Sequence, residues 1–234
     1  MPPSPPHPEI VGHRGAPRER VENTLPGFAR ALELGVDGVE LDVHATHDGR
    51  VVVHHDFVPC ARRTDGSREP RTIAALSAAE VAALRFPDGS AIPTLEAVLG
   101  LLAGRATAYV EIKGEEIEAA VLEVLACHST AAAVHSFDHR AVRRVSYARP
   151  DLRRGLLLSS YVLDAPAMLR AAGALDLWQE WRWIDQPLVD GVHAIGGRVV
   201  AWTANDPAAI RALAAMGVDS ICTDVPAVAR DALG

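Results

Sequence analysis

Cysteine is scarce in this chain of 234 residues: Cys60, Cys127 and Cys222 are odd in number, far apart and form no CxxC pair. That argues against a disulfide framework and for a reducing compartment. No run approaches the ~20 apolar residues that span a bilayer. The opening MPPSPPHPE is a Pro-rich tail with neither the basic nor the apolar stretch of a secretory signal. The expected location is therefore the cytoplasm. Positive charge is also in deficit, with 23 Lys and Arg against 30 Asp and Glu, a net charge of −7 at pH 7. A nucleic-acid partner would need clustered cations to displace counterions, so that class is set aside. An anionic small molecule would gain nothing from the overall field. It would need a local device, either a bound cation or a small basic cluster.

The composition, 49% hydrophobic and 23% charged, is that of a globular protein. The length suits one domain over residues 1–234, since α/β barrels commonly fill 200 to 250 residues as one unit. Such a chain buries a large core without disulfides or a structural metal. β-like runs occur at 10–13, 38–44, 51–54, 108–112, 132–136, 155–158, 177–181, 199–202 and 220–223. Helical periodicity occupies 24–34, 95–103, 116–127, 139–147, 165–172, 187–195 and 207–216. Many of these helical segments stop at a glycine, as at Gly35, Gly173 and Gly217. The alternation predicts parallel strands covered by helices. About eight such units in this length favour a closed (β/α)8 TIM barrel over an open doubly wound sheet. Asp48-Gly49 reads as a hairpin turn, and residues 57–92, rich in Arg, Pro, Ser and Asp, read as an insertion with a helical stretch at 77–84.

In such a barrel the chemistry lies at the C-terminal ends of the strands. Those ends carry His13-Arg14-Gly15, Glu40-Leu41-Asp42, His54-His55-Asp56, Glu111-Ile112-Lys113, Ser136-Phe137-Asp138, Trp202-Thr203 and Thr223-Asp224. Glu40 and Asp42 are two apart on a strand and share a face, and Glu111 holds an equivalent place on a later strand. Three carboxylates facing a barrel interior repel one another and lose hydration, which a hard divalent cation, Mg²⁺ or Ca²⁺, would relieve. The alternative is ion pairing, with Lys113 neutralising Glu111. His13 and His55 are the candidate acid and base, because imidazole titrates near neutrality. His7, His128, His139 and His193 read as structural. His44 shares the face of Glu40 and Asp42, and His54 should point opposite to His55. Arg14 is placed to fork onto two phosphate oxygens and Lys113 to add a point charge, with surface salt bridges as the alternative for both. Asn23 or Thr24 should cap the first helix. Trp202 either walls the pocket or packs in the core.

In order along residues 10–228, these segments resemble the glycerophosphodiester phosphodiesterase family. The resemblance rests on Gly12-His13-Arg14-Gly15, Glu22-Asn23-Thr24, Glu40-Leu41-Asp42, Asp48-Gly49, His54-His55-Asp56, Pro93-Thr94-Leu95, Glu111-Ile112-Lys113, Ser136-Phe137, Trp202-Thr203-Ala204-Asn205 and Thr223-Asp224-Val225-Pro226. It implies a (β/α)8 barrel with a small insertion after the second βα region. It further implies a divalent metal at Glu40, Asp42 and Glu111, His13 and His55 as general base and acid, and Arg14 and Lys113 on the phosphate. The implied reaction uses the neighbouring glycerol hydroxyl as nucleophile and passes through a cyclic phosphate, leaving glycerol 3-phosphate and a free alcohol. The segment 177–185, with Trp178, Trp181 and Trp183, departs from the family pattern and leaves the register of its strand open. Tryptophans facing the rim would favour a bulkier alcohol.

Two other readings share this framework: a lysophospholipase D-type phosphodiesterase, and a catalytically silent barrel that binds phosphorylated ligands. A silent relative would have lost a histidine or a carboxylate, and none is missing. A barrel acting on sugar phosphates would need a catalytic Lys or a Gly-rich loop late in the chain, which Trp202-Thr203 and Thr223-Asp224 do not supply.

Overall fold

The computed structural model describes residues 7–234; residues 1–6, most of the Pro-rich stretch, lie outside the described residues. Eight parallel strands close into a barrel: β1 (Glu9–Gly12), β2 (Gly38–Ala45), β4 (Thr107–Ile112), β5 (Ala132–Ser136), β6 (Arg153–Leu158), β7 (Asp176–Glu180), β8 (Arg198–Trp202) and β9 (Ser220–Thr223). β1 completes the ring by pairing with both β2 and β9. The short β3 (Val51–Val53) runs antiparallel beside β2, joined to it through the turn at Asp48-Gly49, where Gly49 adopts φ 84°. That positive φ is what the Asp-Gly pair provides.

The helices that cover the barrel are α1 (Leu25–Glu33), α3 (Leu95–Leu102), α4 (Glu118–Ala126), α5 (His139–Ala148), α6 (Ala165–Ala172), α7 (Gln186–His193), α8 (Pro207–Met216) and α9 (Pro226–Leu233). Their starts are set locally. The side chains of Thr24, Thr94, Asp138, Asp164, Asp185 and Asp206 each accept a hydrogen bond from a backbone N–H of the first turn. Proline occupies the first or second helical position in α1, α6, α7, α8 and α9, where its missing N–H costs nothing. α9, eight residues from Pro226, lies beyond the helices expected from periodicity.

Two apolar layers result. Val39, Leu41, Val110, Val134, Leu156 and Val199 face outward under the helices, while Val11, Tyr109, Ala133, Leu157, Trp178, Val200 and Cys222 fill the barrel interior. The segment 57–92 carries α2 (Ala78–Ala82) and its own apolar cluster of Ala61, Ile73, Leu76, Val81, Leu84, Phe86 and Ile92, packed with Val52 of β3. It leaves the barrel directly after the hairpin and returns at α3, as an insertion should. β7 settles the register left open in the sequence: Asp176 pairs with Gly155 and with Arg198, and the chain leaves the strand at Trp181 in a single 3₁₀ turn. Among the described residues, no helix is long and apolar enough to cross a membrane.

Candidate active site

The C-terminal ends of the strands surround one pocket lined by His13, Arg14, Glu40, His55, Glu111, Lys113 and Trp202, with His135, Phe137, Leu157, Trp178 and Cys222. Every site residue proposed from sequence lines it except Asp42. That residue lies just beneath the lining, fully buried, and contacts Arg14, Lys113 and Asn23.

His13 stands one residue beyond β1, its N–H bonded to the carbonyl of Thr223 at 2.9 Å. The turn that follows is held by close backbone packing. Gly15, at φ 95°, sits against Gly27 of α1, where a Cβ would meet backbone atoms at 2.8 Å. Only glycine fits there. The ring of His13 is oriented from one side by Asp224, with Nδ1 2.7 Å from Oδ1, and its Nε2 lies 3.9 Å from Glu40 Oε2. Asp224 is itself held by Asn205 at 2.7 Å. Burial works to raise the Asp224 pKa, but the bonds to His13 and Asn205 outweigh it and hold the group ionised.

His55 follows the same plan, with Nδ1 2.8 Å from Asp56 Oδ1. His54 turns the other way, as strand alternation requires, and accepts a hydrogen bond at Nε2 from the Cys60 N–H at 3.3 Å. Burial lowers the pKa of His54 to about 4, so the ring stays neutral. His44 is buried under the edge of Phe57 and bonds the carbonyl of His55 at 3.1 Å, a buttress for the loop that carries His55.

The carboxylates are brought together by register. Asp42 of β2 pairs with Glu111 of β4, and Glu111 pairs with His135 of β5, so three side chains stand in one inward row, with Glu40 one step below. Burial, then repulsion from Asp42 and Glu111, raises the Glu40 pKa well above the usual carboxylate range. The same two causes, burial and then Asp42, push Glu111 up to about 7. Asp42 goes the other way: burial is outweighed by Arg14, Lys113 and the 2.7 Å bond from Asn23 Nδ2. Lys113, the single lysine of the chain, lies 3.0 Å from Glu111 and 3.5 Å from Asp42. Arg14 Nε is 3.2 Å from Asp42, while an Nη reaches Glu22 at 3.0 Å.

Among the described residues, Glu40 Oε1, Asp42 Oδ1 and both ring nitrogens of His135 are buried without a hydrogen-bond partner. Unsatisfied buried acceptors fit a cation, but Asp42 stands outside the group whose ligand atoms come together and is paired with Arg14 and Lys113 instead. Ligand atoms of Glu40, Glu111 and His135 lie within 4.8 Å of one another.

Sequence reasoning missed His135, whose signal is a cross-strand register that a single chain does not display. It named Asp224 only as a strand end. Of the alternatives at α1, Thr24 is the cap and Asn23, at φ 55°, turns inward to Asp42. Trp202 is half-buried and packs edge-on against Phe137, ring centres 5.5 Å apart, as one wall of the pocket. Trp178, buried, lines the pocket, whereas Trp181 lies under the Arg182 guanidinium, outside the lining, and Trp183 is exposed and also outside it.

The profile of the glycerophosphoryl diester phosphodiesterase family matches residues 13–228. A glycerophosphodiester phosphodiesterase of Caldanaerobacter subterraneus subsp. tengcongensis is 30% identical over 229 residues, covering 93% of this chain and 94% of that protein. The structure of an Oleispira antarctica phosphodiesterase in complex with the product sn-glycerol-3-phosphate superposes with a TM-score of 0.86 at 27% identity, covering 97% of this chain and 96% of that one. A glycerophosphodiester phosphodiesterase from Thermotoga maritima gives a TM-score of 0.81 at 26% identity, covering 96% of this chain and 98% of the other.

Proposed function

The chain belongs to the glycerophosphoryl diester phosphodiesterase family and is a phosphoric diester hydrolase of that class; from this premise we propose how its own residues do the work. Glu40, Asp42 and Glu111 would hold a divalent cation, Mg²⁺ or Ca²⁺, with His13 and His55 as general base and acid above it. The observation that carries this reading is the set of buried, partnerless carboxylate oxygens beneath the two imidazoles. When bound, the ion would polarise a phosphoryl oxygen and neutralise charge that builds on it.

Asp224 accepts the Nδ1 proton of His13, which leaves Nε2 as the acceptor facing the pocket. From there His13 would take the proton of the substrate's glycerol hydroxyl as its oxygen attacks phosphorus. His55, held by Asp56, would donate a proton to the departing alcohol oxygen, because an unprotonated alkoxide leaves poorly. The resulting cyclic phosphate would be opened by water with the two roles reversed, giving glycerol 3-phosphate. Arg14 and Lys113 border the same space and would fix the non-bridging oxygens.

The whole chain, segment 57–92 included, is taken as one catalytic unit with a small-molecule phosphodiester as its partner. Cys60, Cys127 and Cys222 are all unpaired, which suits a reducing, cytoplasmic setting. A coupled glycerol 3-phosphate assay with glycerophosphocholine and glycerophosphoethanolamine tests the proposal. Activity should vanish with EDTA and return with Mg²⁺ or Ca²⁺. His13→Ala and His55→Ala should each lower kcat by about 10² or more. Full activity in either variant removes that residue from the mechanism.

One observation favours a second substrate. Phe137 is 47% exposed beside Trp202, an apolar wall on which an acyl chain could lie. Faster turnover of a lysophospholipid than of both small diesters would select the lysophospholipase D-type reading.

A further inference from the structure

His135 is a buried imidazole without an ordinary reason to be a histidine. It is 1% exposed, and neither ring nitrogen meets a hydrogen-bond partner among the described residues. A buried polar ring in that condition is destabilising unless something else satisfies it. The ring is nevertheless held in place: it stacks on Trp178 with centres 4.0 Å apart and planes 6° from parallel. Room for that stack is made by Gly155, the β6 register partner of His135, where a Cβ would stand 2.7 Å from Trp178 Cδ1. The flat face is fixed, and the nitrogen edge is turned to the carboxylates, with Nε2 3.9 Å from Glu40 Oε1.

We propose that His135 is a nitrogen ligand to the divalent cation, so that the site is a mixed carboxylate–imidazole set rather than an oxygen-only one. The inference rests on the cation reading above and deepens it. Two ligand atoms with bonds of about 2.1–2.6 Å to one ion stand at most about 4.2–5.2 Å apart, and the 3.9 Å separation of Nε2 and Oε1 lies inside that span. Glu111 flanks the same ring by strand register, so the three donors come from three adjacent strands of a rigid barrel. An imidazole ligand shifts preference from Mg²⁺ and Ca²⁺ towards Mn²⁺, Co²⁺ or Zn²⁺, most for Zn²⁺ and least for Mn²⁺.

Mn²⁺ alone is the probe, added to the full chain after chelation and followed by calorimetry and pulsed electron paramagnetic resonance. Wild-type protein should show ¹⁴N coupling from a directly bound imidazole and bind Mn²⁺ at least tenfold more tightly than Ca²⁺. The coupling should be absent in His135→Gln, and the Mn²⁺ preference should shrink about tenfold or more, while Ca²⁺ binding persists through the carboxylates. Should that buried substitution fail to fold, His13→Gln decides by elimination: its Mn²⁺ complex must keep the ¹⁴N coupling. A loaded wild type without ¹⁴N coupling, or coupling lost in His13→Gln, overturns the role of His135 and leaves the cation reading standing. No Mn²⁺ or Ca²⁺ binding by wild type, and none distinguishable from Glu111→Gln, overturns both.

Discussion

Nδ1 of His13 lies 2.7 Å from Oδ1 of Asp224, although 211 residues separate the two along the chain. The same carboxylate receives Asn205 Nδ2 at 2.7 Å through its other oxygen, while the Asp224 N–H donates to Asn205 Oδ1 at 2.8 Å. An imidazole is thus oriented by a carboxylate that is itself oriented by an amide. Asp224→Asn keeps the shape and removes the charge. The expected result is a fall in kcat of roughly tenfold to 10³-fold with KM little changed, because the imidazolium formed in the reaction loses its counter-charge. Steady-state kinetics on one small diester checks it; an unchanged kcat removes Asp224 from the reaction.

The crowded carboxylates predict opposite signs with and without a cation. Glu40→Gln should raise the melting temperature of chelated protein, since it removes a buried acid that burial and repulsion from Asp42 and Glu111 disfavour in its ionised form. In wild type, ion at about 100-fold its Kd should add about 2.7 kcal/mol, a rise of roughly 5–10 °C in a chain of this size. The variant should lose that rise. Scanning calorimetry with and without EDTA separates the two effects, and a Glu40→Gln protein that keeps the full rise would contradict the assignment.

A single lysine allows a clean chemical test. Burial alone would lower the pKa of Lys113, but Glu111 and Asp42 outweigh it and raise the group above its ordinary value. Its amine should therefore react slowly with an acylating reagent near pH 8, and Glu111→Gln should quicken the reaction. Peptide mapping by mass spectrometry reads the rate without competition from another lysine. Equal rates in both proteins would mean that Glu111 does not hold the ammonium.

In the segment 57–92, Glu69 is buried between two guanidinium groups, 2.9 Å from Arg71 and 2.7 Å from Arg63. Arg71 above all, joined by Arg63, brings its pKa down to about 2. A carboxyl lowered in the fold contributes fully above its ordinary pKa and loses that contribution as the pH falls towards the lowered value. Protection of backbone amides in this segment should hold from pH 7 to about 5 and weaken below pH 4.5, the ordinary value for Glu. Glu69→Gln should show weak protection at every pH, which hydrogen exchange measures directly.

Gly12→Ala should disturb the site through packing alone. The added Cβ would stand 2.5 Å from the Gly15 carbonyl oxygen, a backbone atom that cannot step aside. A loss of about 1–3 kcal/mol is expected, with a drop in kcat as His13 shifts. Denaturant melts beside kinetics check both; a neutral substitution would show the turn to be pliant.

Most of the architecture was legible because it is periodic. β9 and helices α6 and α8 occupy the segments expected for them, since β-branched runs and helical spacing carry local physics. The ends of α4 and α7 drifted by one to two residues, where capping and not periodicity decides. The site was legible where chemistry clusters in sequence, as in His13-Arg14 and Glu40-Leu41-Asp42. It was illegible where partners meet only across strands: His135 joins Glu111 through β4–β5 register, and Asp224 joins His13 through the β1–β9 pairing. The tryptophans of β7 show the same limit. Trp178 turns inward because Gly155 on the neighbouring strand leaves it space, a fact absent from its own segment.

The seam between β1 and β9 has a consequence for biosynthesis. A chain in which β1 to β8 and their helices have formed still presents two unpaired sheet edges, because the strand that joins β1 to β8 is β9, the last in chain order among the described residues. During that interval the emerging protein has neither a closed ring nor Asp224 beside His13, and its open edges invite pairing with other chains. The ring and the His13–Asp224 contact thus arrive together, in the one step that docks β9 onto β1 and β8.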